Sequence, residues 1–455
     1  MGVTEQLAAF TVHTVYDDVP PQAYARAKDA ILDGLGCALV GAPTSTGKII
    51  VQYVRDRGGE ARAGVIGGGF KTSAPLAALA NGTMAHAVDF DDVNWNMSGH
   101  PTVPLLPAVL ALGQEVHASG QEVLLAYTLG FEVETKIGLA VNPRHYALGW
   151  HATSTLGTLG AAAACAKLLH LDMPHTQRAL GIAASTAAGL RQNFGTMTKP
   201  FHPGQAAMNG ITAALLAQLG WTADSHILEA PYGFCQLYAG QGHHNLGHIV
   251  KRFGTPYELI ASGVAIKQYP CCAFTHRALD AMLALVQQHK LTVEDVAAVE
   301  CLVGRPTTEV LIHVCPQTGL EGKFSMQYCM AAALLDRRIG LLSFSDEKVK
   351  RPAAQRLFER VTMRCHPEAL RHGTSGEELP VIVTLTLQDG RTLAAQVRHP
   401  KGPPVHPLTP IELQEKFEDC AQGVLERPDI RAVIELVQGL ERVEDVGQLM
   451  DVLMA

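Results

Sequence analysis

Four stretches of the chain place lysine, histidine and acidic side chains among small apolar residues. These stretches are 81–101 (NGTMAHAVDFDDVNWNMSGHP), 149–151 (GWH), 195–204 (GTMTKPFHPG) and 266–276 (IKQYPCCAFTH), the last followed by 323–328 (KFSMQY). Lys199 and Lys267 lie near prolines at predicted turns, and His100 and His151 lie at predicted helix starts. Because lysines and helix N-termini both favour anions, the pattern predicts a pocket for an anionic substrate.

Asp89 and Tyr328 add groups that could transfer protons in such a pocket. Taken singly, all these residues have ordinary structural explanations, because most lysines are solvated and most buried histidines are hydrogen-bonded members of a core. The convergence of several of them in apolar surroundings favours an active site. A non-catalytic helical interaction protein would not need lysines and histidines gathered in one cleft.

The acidic run from Asp89 to Asp92, with Asn94 after it, permits a different interpretation. Clustered aspartates in a helical protein can hold Mg²⁺ for the ionisation of a diphosphate, as in isoprenoid enzymes, because Mg²⁺ prefers oxygen ligands. That chemistry needs a second metal-binding motif on another helix, and the sequence contains none. A solvated helix end is the structural alternative. We therefore predict no metal in this cluster and expect positive side chains to balance it.

Two further motifs fail on their spacing. Residues 41–48 (GAPTSTGK) resemble a phosphate loop, but five residues separate the glycines and Ile49 replaces the residue that would hold Mg²⁺. His244 and His248 are four residues apart, as zinc ligands on a helix would be, but Asn245 stands where a metalloprotease carries its general base. We expect surface histidines there, and neither nucleotide nor zinc binding.

Composition bounds the class of protein. The chain has 455 residues, 47% of them hydrophobic, a length that predicts two domains, and charged residues make up 17%. The net charge of −7 and the lack of a basic run disfavour nucleic-acid binding. The ten cysteines form no CxxC pair, which indicates reduced thiols. The N-terminus has no signal-peptide pattern and no apolar run reaches membrane-spanning length, so we expect a cytoplasmic protein that does not bind membranes.

The patterning predicts a large all-helical domain over 1–268, a smaller, lid-like α+β domain over 269–400, and C-terminal helices over 401–455 that rejoin the first domain. The helices predicted in the first domain span 22–40, 73–88, 101–116, 121–141, 151–169, 174–188 and 204–219. In the second domain we predict helices over 275–289 and 325–338 and strands over 296–303, 361–365, 381–387 and 392–397. Asp389-Gly390 predicts a hairpin between the last two strands, and Thr409-Pro410 predicts a helix start.

These segments resemble the MmgE/PrpD family, which includes 2-methylcitrate dehydratase, cis-aconitate decarboxylase and iminodisuccinate epimerase. The most specific matches are NGTMAHAVDFDD, GHP, GTMTKPFHPG and KQYPCCAFTH. The resemblance implies a homodimer with no metal or organic cofactor. It also implies that the active site is lined by Asp89, His100, Lys199, Lys267 and Tyr328, with His151, Lys199 and Lys267 binding the substrate.

The resemblance leaves more than one reaction open. The leading expectation is a dehydratase acting on a small polycarboxylate such as 2-methylcitrate, with Asp89 or His100 as base and Tyr328 or a lysine as acid. The alternative is an epimerase of a dicarboxylate such as iminodisuccinate, which moves one proton at the carbon next to a carboxylate. The segment VNWNMSG before His100, and Cys272 in the fourth motif, depart from the decarboxylase branch and argue against decarboxylation.

Overall fold

The computed structural model describes residues 1–368 and 379–454, in which a mostly helical chain carries a smaller α+β part, as predicted. The helices are α1 (Val3–His13), α2 (Pro21–Gly41), α3 (Ser45–Arg57), α4 (Ala74–His86), α5 (Thr102–Glu115), α6 (Gly120–Val141), α7 (Arg144–Ala147), α8 (Ala152–Leu168), α9 (Met173–Thr186), α10 (Thr198–Gln218), α11 (Phe234–Ala239), α12 (Gly247–Val250), α13 (Glu258–Ala261), α14 (Ala273–His289), α15 (Arg305–Val310), α16 (Gly319–Gly322), α17 (Met326–Asp336), α18 (Asp346–Lys350), α19 (Pro352–Phe358), α20 (Pro410–Ala421), α21 (Arg427–Gln438) and α22 (Gly447–Leu453). The strands are β1 (Ala63–Gly64), β2 (Lys71–Thr72), β3 (Val296–Val303), β4 (Val361–Cys365), β5 (Val381–Leu387) and β6 (Thr392–Val397).

Small residues let the central helices of the first part approach each other closely. A Cβ atom placed on Gly82 of α4 would lie 2.8 Å from the Cα atom of Gly204 in α10, a separation that real side chains do not adopt. This close crossing of α4 and α10 brings His86, at the end of α4, beside Lys199, in the first turn of α10. Gly82 and Gly204 therefore help to bring together the polar residues that flank them in the two helices.

Two details of the first part differ from the sequence prediction. It is not all-helical, because β1 and β2 form a short antiparallel pair around a glycine-rich turn. Helix α10 begins at Thr198 rather than at Gly204. Pro200 lies in its first turn, where the missing amide proton costs nothing, and Pro203 is tolerated one turn further on. Lys199 is thus helical, and not in a turn as predicted.

The second part contains a four-stranded sheet with strand order β4-β3-β5-β6. Strand β3 pairs parallel with β4 and antiparallel with β5, and β5 pairs antiparallel with β6. The pairing of Thr386 with Thr392 confirms the hairpin at Asp389-Gly390, where Gly390 adopts the positive φ of 86° that such a turn favours. The alternate residues of β5 are buried, so one face of the sheet packs against α14 and α17.

Apolar side chains form two principal clusters, one in the helical part and one between the sheet and its helices. The helices α20, α21 and α22 contribute to the first cluster, with Phe417 packed beside Gly36 of α2. Thr409 caps α20 as predicted, accepting a hydrogen bond from the amide of Glu412. The domain boundaries themselves stay a prediction.

Within the described residues, no single helix meets the length and hydropathy needed to cross a bilayer. One pair of helices, α2 and α3, meets those criteria together, but the two are bent by 87° relative to each other.

Candidate active site

A cleft of about 440 Å³ lies between the helical part and the α+β part. The helical part contributes the loop from Val93 to His100, together with His151, Phe194 and Lys199, and the α+β part contributes Cys272, Phe274, Val310 and Phe324, among others. Asp89 lies at the inner end of the cleft. A pocket of this volume suits a small ligand.

Asp89 is held between two buried ammonium groups. Its backbone is left-handed, with φ of 55°, directly after the end of α4. Its Oδ1 atom lies 2.6 Å from Lys199 Nζ and 3.3 Å from Lys267 Nζ, and Lys267 also donates to the Asp89 carbonyl oxygen at 2.9 Å. The left-handed backbone therefore lets Lys267 reach the main chain and the side chain of the same residue.

Asp91 joins two histidines. His86 Nδ1 lies 2.9 Å from both carboxylate oxygens of Asp91, and His100 Nδ1 lies 2.9 Å from Oδ2. The other nitrogen of His86 lies 2.7 Å from Lys199 Nζ, which as an ammonium can only donate. His86 is therefore protonated on Nδ1 and donates to Asp91, whereas His100 Nδ1 lies close to Asp91 without the geometry of a hydrogen bond. His100 Nε2 lies 3.9 Å from Asp89 Oδ1, and His100 lines the cleft.

Burial and neighbouring charges set the protonation states. Burial raises the pKa of Asp89, but Lys199 and Lys267 outweigh it and lower the pKa well below its ordinary value. Burial lowers the pKa of His86 to about 3 and also lowers that of His100, so both rings are neutral at pH 7. For Lys267, the attraction of Asp89 outweighs burial and raises the pKa. The inner end of the cleft thus has ionised carboxylates, charged lysines and neutral imidazoles.

His151 caps α8 and forms a second histidine pair. Its Nδ1 atom lies 2.9 Å from Nδ1 of His202, and its ring contacts the Phe194 ring edge-on at 5.0 Å. Burial is the main cause of a lowered pKa in both rings, and Lys199 adds to it. Two neutral imidazoles share this hydrogen bond, so one Nδ1 donates and the other accepts. Whichever donates, the pair fixes the orientation of His151 in the cleft wall.

Two more buried lysines hold the backbone around Asp89. Lys323 donates to the carbonyl oxygens of Val88 and Pro270, at 2.6 and 2.5 Å, and burial lowers its pKa to about 8. Lys416 donates to the carbonyl oxygen of Phe90 at 2.8 Å. Lys323 lies in the α+β part and Lys416 in α20, so the Asp89 segment is anchored by residues distant in sequence.

The position of Tyr328 differs from the prediction. Its side chain is fully buried in the α+β core, where the ring packs edge-on against Phe344 and Phe358. Its hydroxyl donates to the carbonyl oxygen of Ser343 and does not point into the cleft. The placement of Tyr328 among the cleft residues is therefore wrong. Its motif does contribute to the site, but through Lys323 and Phe324.

His86, Asp89, Asp91 and His100 each bring one ligand atom to within 4.8 Å of the others, a spacing that could hold a metal ion. The ammonium of Lys199 contacts two of these atoms, His86 Nε2 at 2.7 Å and Asp89 Oδ1 at 2.6 Å. A divalent cation at that point would meet this positive charge at close range. The geometry therefore favours lysine over a metal ion as the counter-ion of Asp89, and metal independence stays a prediction.

The structure brings Asp89, His100, Lys199 and Lys267 together, with His151 in the same cleft. Five further residues at the site were not predicted as site residues from the sequence: His86, Asp91, His202, Lys323 and Arg191. All of them except Arg191 lie in the stretches described above. A spacing signal existed for His202, because it lies three residues after Lys199 and shares a helix face with it once α10 is extended to Thr198.

Comparison with known proteins identifies the family of the chain. The MmgE/PrpD N-terminal domain matches residues 5–246, and the MmgE/PrpD C-terminal domain matches residues 269–442. The chain is 31% identical to the cis-aconitate decarboxylase of Mus musculus, over 98% of this chain and 92% of that protein. It is 28% identical to the cis-aconitate decarboxylase of Aspergillus terreus, over 99% of this chain and 96% of that protein. Both domains match in order and the similarity runs along nearly the whole chain, so the protein belongs to the MmgE/PrpD family.

Proposed function

We propose that the protein is a cofactor-independent lyase that acts on a small tricarboxylate through a carbanion next to a carboxylate. The observation that carries this proposal is the arrangement of Asp89, held by the ammonium groups of Lys199 and Lys267, beside a neutral His100 at the inner end of the cleft. The family relationship supports the same class of reaction.

A carbanion next to a carboxylate places most of its charge on the carboxylate oxygens. Stabilising that charge requires cations or hydrogen-bond donors fixed in advance, in a site with little water. Lys199 lines the cleft and Lys267 lies directly behind Asp89, and both are almost fully buried. These ammonium groups therefore supply the positive potential in this proposal, without a metal ion.

His100 is the proposed base. Asp89 is a weak base, because two lysines lower the pKa of its carboxyl group. His100 is neutral, and its Nδ1 contact with Asp91 leaves Nε2 free to accept a proton. With Tyr328 directed away from the cleft, Lys199 is the proposed acid for a leaving hydroxyl group. Asp89 then positions Lys199 through their ion pair.

Two forms of lyase chemistry fit this site. Dehydration of 2-methylcitrate or a related tricarboxylate uses the base and the acid together, and it remains our first candidate. Decarboxylation is the second, favoured by the names of the relatives, which are cis-aconitate decarboxylases. Dehydration builds its carbanion by loss of a C–H proton and then expels hydroxide, whereas decarboxylation builds one by loss of CO₂ and then takes up a proton. Both place negative charge where the lysines can stabilise it. Epimerisation of a dicarboxylate would instead need acid–base groups on both faces of the reacting carbon.

The test is incubation of the purified protein with 2-methylcitrate, citrate, cis-aconitate and iminodisuccinate in D₂O, followed by proton NMR. Dehydration yields an unsaturated acid, decarboxylation yields a product with one carboxylate fewer, and epimerisation places deuterium in recovered substrate. Turnover of a tricarboxylate by the wild type, with less than about 1% of that rate in Lys199→Met, is the expected result. Deuterium in iminodisuccinate with every tricarboxylate unchanged would contradict it.

We further propose that the protein is a homodimer, on the basis of the resemblance and the low charge content, and that it is cytoplasmic, on the basis of its unpaired cysteines. Light scattering at micromolar concentration tests the first point. A monomeric mass that does not change with concentration would contradict it.

A further inference from the structure

Arg191 lies in the cleft wall and differs from the other charged residues there. The acidic, basic and histidine side chains that line the cleft are Asp89, His100, His151, Arg191, Lys199 and Glu309. Asp89 is paired with the lysines, and Glu309 is paired with Arg305 at 2.9 Å. Among the residues that the structure describes, no carboxylate pairs with Arg191.

The contacts of Arg191 fix its guanidinium without neutralising it. Nη1 donates to the carbonyl oxygen of Tyr146 at 2.8 Å, and the group lies 3.9 Å from the centre of the Tyr146 ring. Nε is buried and has no hydrogen-bond partner among the described residues. A buried donor without a partner is costly, so this arrangement indicates a missing acceptor.

Main-chain hydrogen bonds fix the backbone of Arg191 relative to that of His151. Trp150 and Leu190 form an antiparallel bridge, in which the amide of His151 donates to Gly189 and the amide of Arg191 donates to Gly149, at 3.0 and 2.9 Å. One short ladder therefore presents His151 at one end and Arg191 at the other. The positions of the two side chains relative to each other are set by main-chain hydrogen bonds and not by flexible loops.

Charge balance at the inner end of the cleft makes a further cation necessary. The ionised Asp89 and Asp91 offset Lys199 and Lys267, and Lys323 is the remaining cation there, with its ammonium group bonded to two carbonyl oxygens. This end therefore has little positive charge to spare for a ligand with three negative charges. Burying unpaired carboxylates is very costly. A planar guanidinium binds a carboxylate through two parallel hydrogen bonds, which a lysine cannot do.

Resting on the proposed function, we infer that Arg191 binds a carboxylate of the substrate remote from the reacting carbon. The site would then select ligands with a carboxylate beyond the one engaged by Lys199. Arg191 is a specificity-determining residue in this inference and takes no part in proton transfer.

The test uses unreactive ligands, so that binding is measured without turnover. Calorimetry compares propane-1,2,3-tricarboxylate with 2-methylsuccinate, which lacks one terminal carboxylate. We expect the wild type to bind the tricarboxylate about 10- to 100-fold more tightly, the range of one charge-assisted pair. Arg191→Gln should reduce this ratio of affinities to about threefold or less. Arg191→Lys keeps the charge but cannot form two parallel hydrogen bonds, so its ratio should lie between those of the wild type and Arg191→Gln.

Arg144→Gln is the matched control. Arg144 is exposed, lies two residues before Tyr146 on α7, and does not line the cleft. The substitution Arg144→Gln removes one positive charge close to the cleft, as Arg191→Gln does, but it should preserve the wild-type ratio of the two affinities. Thermal midpoints of all variants identify any loss of folding, since Arg191 also stacks on Tyr146.

The outcomes separate this inference from the proposed function. If the wild type turns over a tricarboxylate but Arg191→Gln keeps the binding ratio, the inference is wrong and the proposed function stands. If the binding ratio depends on Arg191 but the NMR test finds no lyase reaction, the inference about Arg191 stands and the proposed function is wrong. If the wild type neither binds nor turns over any tricarboxylate, both are wrong.

Discussion

The segment from Asp89 to Asp92 separates two buried acidic environments with opposite properties. On the cleft side, Asp89 has lysine partners and Asp91 has histidine partners, and both stay ionised. On the core side, Asp92 accepts hydrogen bonds from Thr102, and burial raises its pKa to about 8. Glu134 lies deeper in that core, where neither oxygen has a partner among the described residues and burial raises its pKa well above normal.

The contrast shows that burial alone does not create reactive chemistry. An acid in an apolar core becomes neutral, whereas one beside fixed cations remains charged and can organise a site. The acidic residues on the two sides of the segment differ in the residues that they contact and not in how deeply they are buried. Substitutions on each side should therefore differ in kind, with losses of turnover on the cleft side and changes in stability on the core side.

The largest effect is expected for Lys199→Met. It removes the cation that contacts both Asp89 and His86, so kcat/KM should fall about 10³-fold or more. Steady-state kinetics on the best substrate measure this loss. Lys136→Met is the control, because Lys136 is also buried and pairs with a carboxylate, Glu258, at 2.8 Å. A similar loss of kcat per folded molecule in both variants would contradict the comparison.

Asp89→Asn should lower kcat about 10²-fold with a smaller change in KM. The amide keeps the shape but no longer holds Lys199 in place by charge. The matched control on the core side is Asp92→Asn, which should keep kcat within about threefold. Equal losses of kcat in the two variants would remove the distinction between the two sides of the segment.

Asp92→Asn should instead change how stability depends on pH. The pKa of Asp92 is raised from 3.8 to about 8 in the folded state, so the folded state binds more protons between pH 4 and 8. Stability from this group is therefore present at pH 4 and is lost as pH rises towards 8, by at most about 6 kcal/mol.

Thermal or urea unfolding across that pH range tests this prediction. The stability of the variant relative to wild type should increase with pH. Asp336→Asn is the control, because Arg351 lowers the pKa of that carboxyl group below 3.8 despite the opposing effect of burial. Its contribution is lost only at lower pH, so the wild-type-minus-variant difference for this control should stay nearly constant from pH 4 to 8. A wild-type-minus-variant difference that is constant from pH 4 to 8 would contradict the assignment for Asp92.

Tyr328→Phe should have a small effect, and on stability alone. It removes the hydroxyl that donates to Ser343 and should cost about 1–2 kcal/mol of unfolding free energy. The value of kcat should stay within about twofold, because the hydroxyl lies outside the cleft. Urea unfolding and kinetics on one preparation measure both. A loss of kcat above tenfold with unchanged stability would restore Tyr328 as an acid.

The smallest effect is expected from chelation. Dialysis against EDTA should leave the initial rate unchanged, because Lys199 lies against two of the four atoms that a metal ion would need. Added Mg²⁺ should not raise the rate either. A loss of rate on dialysis that Mg²⁺ or Zn²⁺ restores would replace lysine by a metal ion as the counter-ion of Asp89.

The sequence allowed much of this arrangement to be predicted, because the helices, the hairpin and the motif residues each have local signals. Gly390 in its turn and Thr409 at its cap depend on neighbours a few residues away. Tyr328 shows the limit. It lies in the first turns of α17, and whether its hydroxyl points to the cleft or to Ser343 depends on how that helix packs on the sheet. No local pattern encodes that rotation.

Long-range packing also explains why the residues that contact the predicted site residues were not predicted. His86 belongs to a helix of mostly apolar and small residues, and no local feature distinguishes it from an ordinary buried histidine. Its role depends on the crossing of α4 with α10, which places it beside Lys199 from 113 residues further along the chain. The parallel pairing of β3 with β4 is likewise a long-range feature that strand periodicity does not reveal.

The anchoring of Phe90 by Lys416 has a consequence for the synthesis of the protein. Lys416 is 326 residues further along the chain and also forms an ion pair with Asp33 in α2. A nascent chain that ends before α20 therefore leaves the Phe90 carbonyl and the buried Asp33 without this cation. The helical core can collect most of its apolar residues early in translation, but the segment that carries Asp89 is completed only when α20 emerges from the ribosome. The inner end of the cleft is therefore held in its final form only after α20 has been synthesised.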